Sequence, residues 1–350
     1  MSHFAPSHPA ATATARAPSN IAFVKYWGNL DDATRLPFND SISMNLSAAH
    51  TTTTVTFDTA LHTDTLTIDG RAYDPQHAAD AVAITRVTHH LDSLRALADT
   101  TDRAAVVSVN SFPMGTGIAS SASAFAALSV AAAAALGLEL DERTLSTIAR
   151  RGSGSAARSV PEGFVRWYAA ATDEGSYAAS IAPATHWDLH DVVAIVSRAH
   201  KAVGSGGGHA LAASSPLFAE RIARLPARLA AVEAAIAARD VAALGDQIEA
   251  EALELHAVAM TSRPAVLYWD GATVELLHRV RRWRADGLAV WFTLDAGPNV
   301  HLICEGHVAP AVAAELANQS YVESSMDNSP AAGARVIGPG EDRGPSAGHA

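Results

Sequence analysis

Residues 21–32 read IAFVKYWGNLDD, an apolar run with the character of a buried strand that ends in Lys25, Tyr26, Trp27 and Gly28 ahead of two aspartates. A lysine at the end of such a run either carries its ammonium out to water along its aliphatic stem or meets an anion inside a cleft. The rest of the chain has to decide between these two fates.

On the C-terminal side, TTTTVTF at 51–57, LTIDG at 66–70 with its Asp-Gly turn signal, and AVVSVNS at 105–111 alternate as strands do. Residues 78–98 carry apolar side chains at helical spacing. A glycine-rich loop, PMGTG, then runs into a long Ala/Ser helix, and Asp141 caps a further helix through Arg151 that stops at GSGSAARS. A second block starts near residue 190. DVVAIVS at 191–197 reads as a strand, followed by two long helices, the first interrupted around Pro226, and another over VELLHRVRRWRAD. LAVWFTLDAG and VHLIC pair around a Gly-Pro-Asn turn, and HVAPAVAAELANQ closes the block as a helix. Mixed strands and helices in two blocks predict an α+β protein with a boundary at 188/189. Residues 1–14 and the tail from 338 are rich in small residues, Gly and Pro, and are expected to be disordered. No internal repeat is evident.

The formal net charge of −11 over 350 residues, with no Lys/Arg cluster, argues against a nucleic-acid surface and requires any anionic substrate to be met by a local positive site. Cys304 is the only cysteine, which excludes an intrachain disulfide and a cysteine-based metal site and fits a reducing compartment. No signal-peptide core and no apolar run of membrane-spanning length is present, so the expectation is a soluble, cytoplasmic protein without a membrane partner.

Three stretches carry candidate chemistry. PMGTGIASSASAF at 113–125 offers backbone amides and a helix start to an anion, with Ser120 and Ser121 as hydroxyls for a phosphate oxygen or Mg²⁺. It lacks the Gly-Lys-Ser/Thr ending of a Walker A loop, and it also reads as a plain loop before a packed helix. RRGSGSAARSV at 150–160 exposes hydroxyls and amides beside Arg158, whose fork suits a carboxylate or phosphate, or else it is a helix-end turn with a surface arginine. In FTLDAGPNVHL at 292–302, Asp295 ends an apolar strand, where desolvation would raise its pKa and make it a base; a turn-capping aspartate is the alternative. His89, His90, His200, His209 and His256 lack metal-ligand spacing, and Trp27, Trp167, Trp187 and Trp291 read as packing residues.

Taken in order, these stretches resemble the mevalonate diphosphate decarboxylases of the GHMP kinase superfamily. The family's NIA-x-x-KYWGK-x-D stands here as NIAFVKYWGNLD, its LP-x-N-x-SIS as LPFNDSIS, its P-x-x-x-G-x-ASSA as PMGTGIASSA, its GSGSA-x-RS as GSGSAARS, and its DAGPN unchanged. The resemblance spans residues 15–305. It implies an ATP-binding N-terminal lobe over 15–188 like domain 2 of ribosomal protein S5, a ferredoxin-like lobe over 189–337, and an active site between them. It also implies a reaction in which ATP phosphorylates the tertiary 3-hydroxyl of a phosphorylated mevalonate, phosphate departs and CO₂ loss forms an alkene. By similarity Asp295 orients or deprotonates the hydroxyl, Lys25 stabilises developing negative charge, and Arg158 holds the carboxylate. Tyr26, Ser153, Gly154 and Ser155 contact substrate. Pro113, Gly115, Gly117, Ala119, Ser120 and Ser121 cradle the ATP phosphates, with Ser121 toward Mg²⁺. The family often forms homodimers.

Two departures bear on the substrate. Asn29 replaces a lysine that helps bind the terminal phosphates in diphosphate-using members. In HKAVGSGGGHALA, Gly206 falls where some bacterial members have an arginine, and His209 stands where methionine is usual. Two lost charges favour 5-phosphomevalonate over 5-diphosphomevalonate. The alternatives are an ordinary diphosphomevalonate decarboxylase and, from another class, a catalytically silent GHMP-like ligand-binding module.

Overall fold

Alternating alanines and β-branched threonines at the start of the chain build one long strand rather than a disordered extension. The computed structural model describes residues 11–112, 120–199, 203–338 and 341. Within it β1 runs Ala11–Val24, so residues 11–14, expected to be disordered, are paired. β1 lies antiparallel to β4 (Ser41–Asp58), from Ala11 opposite Phe57 to Val24 opposite Ile42, and the small ribbon β2 (Asn29–Asp31) and β3 (Leu36–Pro37) fills the connection between them. β5 (Thr65–Ile68) and β6 (Arg71–Ala72) follow, joined through Asp69 and Gly70, both at positive φ as the Asp-Gly signal requires. Helix α1 (Ala78–Ala98) leads to strand β7 (Arg103–Asn110), and with β14 (Arg335–Val336) from the chain's end the sheet's central order is β14-β1-β4-β7-β5-β6; β8 (Phe164–Trp167) and β9 (Ala178–Ala182) attach beside β4.

One face of this sheet is covered by α1, α2 (Ser120–Ala135) and α3 (Glu142–Gly152), the last capped by Asp141, which accepts the Thr144 N–H. Helix α2 is apolar all round because it is buried all round, its alanines allowing the sheet and both neighbouring helices to approach closely. Gly152 is required by that packing, since a Cβ there would meet Phe125 at 2.1 Å.

The second sheet has the order β11-β12-β10-β13, with β10 at Leu189–Ile195, β11 at Trp291–Thr293, β12 at Val300–Glu305 and β13 at Ser324–Asn328. Between β10 and β11 lie α4 (Ser205–Leu211), α5 (Phe218–Ala238), α6 (Val241–Thr261) and α7 (Gly271–Ala285), and α8 (Ala309–Ala317) joins β12 to β13. This is the ferredoxin-like β-α-β-β-α-β order, with an enlarged first crossover. Helix α5 runs through Pro226 without a break, contrary to the expected interruption; Leu225, Leu229 and Val232 around it are buried against the core, and that packing outweighs one lost helical bond.

The lobes are not separate bodies. Ile21, Phe23 and Met44 of the first sheet share one core with Val193 of β10, Leu229 of α5 and Trp291 of β11. The last segment also crosses back: Pro330 bridges Leu46, and β14 (Arg335–Val336) pairs with Ala15 and Arg16 of β1. The expected C-terminal lobe therefore gives up its final residues to the N-terminal sheet. Residues 1–10 and most of the tail beyond 338 lie outside the described residues. Among the described residues no helix is long and apolar enough to cross a membrane.

Candidate active site

A cavity of about 670 Å³ opens between the two lobes. Lys25, Tyr26 and Trp27 from the end of β1, Ser120 and Ser121 from the start of α2, and Ser153, Gly154, Ser155 and Arg158 line it from the N-terminal side. Gly206, His209, Leu255 and Asp295 line it from the other.

Lys25 does not snorkel. It is 1 % exposed, and its Nζ donates to the Ala22 carbonyl at 2.5 Å and to Asp295 Oδ1 at 2.8 Å. Burial drives the Lys25 pKa below its usual 10.5, against the Asp295 and Glu251 carboxylates, which favour the cation. Asp295 stands in the turn after β11, where Gly297 takes a positive φ. Burial pushes its pKa up, as expected from the sequence, but Lys25, His301 and Arg158 outweigh burial and hold it below the usual 3.8. The expectation of a raised pKa is therefore corrected: the neighbouring cations keep Asp295 ionised.

Arg158 sits in a short 3-10 segment, Gly154–Ser159, and is 2 % exposed. Its Nη1 donates to Ser41 Oγ at 2.7 Å and its Nη2 to Asn20 Oδ1 at 3.1 Å, while Nε has no hydrogen-bond partner among the described residues. Burial lowers its pKa to about 10, which leaves it charged at neutral pH. Asn20 also donates to the Ser155 carbonyl at 3.2 Å and Ser159 Oγ at 2.8 Å, so one asparagine of β1 fixes the whole GSGSAARS turn. Only glycine fits at 154, because a Cβ would meet the Tyr26 ring at 2.5 Å. Ser121 Oγ and Ser153 Oγ are 3.0 Å apart, joining the start of α2 to that turn.

Asn29, Gly206 and His209 themselves bring no charge to the cavity, although Arg35, also on its wall, lies close enough to lower the His209 pKa. Asn29 does not reach the wall: its Oδ1 accepts from the Tyr26 hydroxyl and its Nδ2 donates to Asp32 Oδ1 at 2.7 Å. Gly206 offers no side chain. The His209 ring lies between Tyr26 and Trp27, with centroids at 4.1 and 4.7 Å, and its Nδ1 accepts the Gly28 N–H at 2.9 Å. That bond leaves the ring proton on Nε2. Burial, followed by Arg35, Arg158 and Arg221, drives the His209 pKa down to about 3, so the ring is neutral.

Of the residues singled out in the sequence, Lys25, Tyr26, Ser120, Ser121, Ser153, Gly154, Ser155, Arg158, His209 and Asp295 meet in this one cavity. Pro113, Gly115, Gly117, Ala119, His200 and Lys201 lie outside the described residues. Sequence reading missed Arg35 and Arg86 on the wall, and Asn20 and Ser41 behind Arg158. The two asparagine- and serine-bearing motifs, NIA and SIS, were visible but pointed to no partner.

A ferredoxin-like sheet and a helix-covered sheet enclosing a lysine-aspartate pair, a buried arginine and helix-start hydroxyls define the two-lobed GHMP kinase fold. The model of the diphosphomevalonate decarboxylase-like N-terminal domain matches residues 17–178, and that of the mevalonate 5-diphosphate decarboxylase C-terminal domain matches residues 191–336. The chain belongs to the diphosphomevalonate decarboxylase family and is an enzyme.

It is 35% identical over 309 residues to a diphosphomevalonate decarboxylase of Ganoderma lucidum, covering 82% of this chain and 76% of that one. It is also 35% identical over 298 residues to a phosphomevalonate decarboxylase of Haloferax volcanii, covering 85% and 89%. The mevalonate diphosphate decarboxylase from Enterococcus faecalis has the same fold, with a TM-score of 0.86, 33% identity, and coverage of 94% of this chain and 99% of that one. MDDEF in complex with MVAPP, AMPPCP and magnesium matches with a TM-score of 0.87 at 33% identity, covering 94% and 99%.

Proposed function

We propose that this enzyme is an ATP-dependent decarboxylase of the mevalonate pathway whose favoured substrate is 5-phosphomevalonate, giving isopentenyl phosphate, CO₂, ADP and phosphate. The observation that carries the substrate preference is that Asn29, Gly206 and His209 bring no cation to the positions where the resemblance expects contacts to the terminal phosphates. A lysine contact to a desolvated phosphate is worth about 1.5–3 kcal/mol, and a second phosphate placed there finds no such contact. Arg198, the other cation of that loop among the described residues, is exposed and paired with Glu323 at 2.9 Å.

ATP and Mg²⁺ fit the residues present. Mg²⁺ prefers oxygen ligands and keeps several waters, so one or two protein oxygens beside the phosphates suffice. Ser120 and Ser121 supply hydroxyls on the cavity wall, and no cluster of three or more His, Cys, Asp or Glu that would form an all-protein cage exists among the described residues. When bound, ATP supplies the phosphoryl group that turns the 3-hydroxyl into a leaving group, and Mg²⁺ neutralises phosphate charge.

The chain's own groups account for the rest. Asp295, held ionised, accepts a hydrogen bond from the 3-hydroxyl and takes its proton as the oxygen is phosphorylated and becomes acidic. Positioning is the larger part of this contribution, because a carboxylate with a lowered pKa is a weak base. Lys25 faces the same oxygen with its charge. Arg158, a cation on the cavity wall, holds the substrate carboxylate until the C1–C2 electron pair forms the alkene and CO₂ leaves.

Side-by-side steady-state kinetics with the two phosphorylated mevalonates tests the preference. The expected result is a higher kcat/KM for the monophosphate; a much higher value for the diphosphate overturns it. The diphosphate reading has its own support in Arg35 and Arg86, two cations on the cavity wall. Phosphate release dependent on ATP and on either substrate separates both readings from a silent binding module, which would give none.

A further inference from the structure

Lys25 and Asp295 come from different lobes, yet one helix touches the backbone of both. Glu251 of α6, fully buried, accepts the Lys25 backbone N–H on Oε1 at 3.1 Å. Five residues on, His256 Nε2 donates to the Asp295 backbone carbonyl at 2.9 Å. Arg221 of α5, 3 % exposed, is ion-paired with Glu251 Oε1 and donates its Nη2 to the Lys25 carbonyl at 2.9 Å. Arg228 takes the other Glu251 oxygen at 2.5 Å. The N–H and C=O of the lysine at the end of an N-terminal strand are thus gripped by an acid and a base of the opposite lobe. Sheet pairing stops at Val24, and from its own lobe residue 25 is held by Asn39, whose Nδ2 donates to the Lys25 carbonyl at 3.0 Å beside Arg221.

We propose that Glu251, acting with Arg221, is a positioning residue: it fixes the Lys25 backbone from the C-terminal lobe and so keeps Nζ within hydrogen-bond reach of Asp295. A buried ion pair costs desolvation that apolar packing would avoid, and this one is spent on the two peptide groups flanking the reactive lysine. Helix α6 then acts as a common reference for both reactive side chains, and a small displacement of either is expensive in rate. The carboxylate has a second effect, since its charge favours the Lys25 cation together with Asp295 and against Arg158. Tyr26, His209, Arg35 and Arg86 complete the titratable groups on the surrounding walls.

The inference rests on Lys25 and Asp295 acting in the reaction, and the test separates the two. Turnover by Lys25→Met would remove that reading. With Lys25→Met inactive, Glu251→Asp and Glu251→Gln are assayed for kcat, for KM of both substrates, and for the pH profile, with rates referred to sites counted by ATP-analogue binding. Glu251→Asp keeps a carboxylate for both arginines but draws it back by one methylene. The expected result is a fall in kcat of about tenfold to a hundredfold, KM values changed by less than about threefold, and an unmoved alkaline limb. Glu251→Gln is expected to lose rate and also to shift the alkaline limb of kcat to lower pH. Arg221→Met removes one donor to the Lys25 carbonyl and one of the two arginines on Glu251, and leaves Asn39 and Arg228 in place; it is expected to give a smaller loss of the same kind. Parent-like kcat per counted site in Glu251→Asp overturns the proposal, as does a loss in which KM rises in step. Should Glu251→Gln fail to fold, the aspartate variant decides alone.

Discussion

The two ends of the cavity are built on opposite electrostatic plans. At the reacting end, three ionised groups are packed within a buried cluster: Lys25 on Asp295 at 2.8 Å, with Arg158 close enough to influence both. At the other, Asn29, Gly206 and a histidine held neutral contribute no charge at all. The same polypeptide that tolerates the desolvation of two cations and a carboxylate around the chemistry places no charge on Asn29, Gly206 or His209 and leaves the wall beside them to Arg35. Catalysis and recognition of phosphate number are therefore separable, and substitutions at the two ends are expected to act on different kinetic constants.

The largest expected effect lies at the charged end. Asp295→Ala removes the proton acceptor and leaves Lys25 buried without its anion; kcat is expected to fall about a thousandfold or more, within the range assigned to a positioned general base. Binding of an ATP analogue, measured by calorimetry, is expected to stay close to the parent. Retained decarboxylation would remove Asp295 from the mechanism. The pH profile has a definite sign at this end. Lys25 is active as the cation and its pKa is lowered from 10.5, so the alkaline limb is expected below the ordinary lysine range. Asp295 is lowered from 3.8, so it does not limit the rate at mildly acidic pH.

Arg158→Lys follows in size. The lysine keeps a charge but cannot serve Ser41, Asn20 and the substrate at once, as the guanidinium fork does. A loss of about 1.5–3 kcal/mol, roughly tenfold to a hundredfold in kcat/KM for the phosphorylated mevalonate, is expected with KM for ATP little changed. A parent-like kcat/KM would mean that Arg158 only holds its own loop.

Asn29→Lys adds a cation beside Tyr26 and Asp32, just behind a wall that already carries Arg35. It is expected to raise kcat/KM for the diphosphate relative to the monophosphate by about tenfold, the scale of one charge-assisted hydrogen bond. Competition kinetics with both substrates measures that ratio directly, and an unchanged ratio breaks the link between Asn29 and phosphate number.

Much of the charged end was legible in the sequence because its signals are local. An apolar strand ending in lysine, a Gly-Ser turn before arginine and an Asp-Ala-Gly turn after a strand each carry their chemistry within a dozen residues. What was not legible depends on long-range pairing. Asn20 and Ser41 reach Arg158 only because β1 and β4 lie side by side, and Arg35 and Arg86 reach the wall from the β2–β3 turn and from α1. The direction of the Asp295 pKa was misjudged for the same reason: desolvation can be guessed from a strand end, but the opposing cations lie 270 and 137 residues away in the chain. The final strand was not read from the sequence at all, because nothing in its composition says that it returns to β1.

The smallest expected effect sharpens the neutral end itself. His209 is neutral because burial drives its pKa from 6.5 to about 3, reinforced by Arg35, Arg158 and Arg221. A group whose folded pKa lies below its unfolded value binds its proton more readily in the unfolded chain. Its contribution to stability is therefore complete above pH 6.5 and is lost progressively as the pH falls from there toward 3. His90, buried on α1 against Ser129 of α2 with a pKa also lowered to about 3, adds a parallel slope that substitutions at 209 leave in place. His209→Met is thus expected to lower the Tm at pH 7, through the unmatched Gly28 N–H, and at the same time to flatten the decline in Tm between pH 7 and 5. Thermal unfolding of the parent and the variant across that range measures the difference in slope. Equal slopes would mean that His209 titrates like an exposed histidine, that the cavity can acquire a cation near neutral pH, and that its two ends differ less than the geometry indicates.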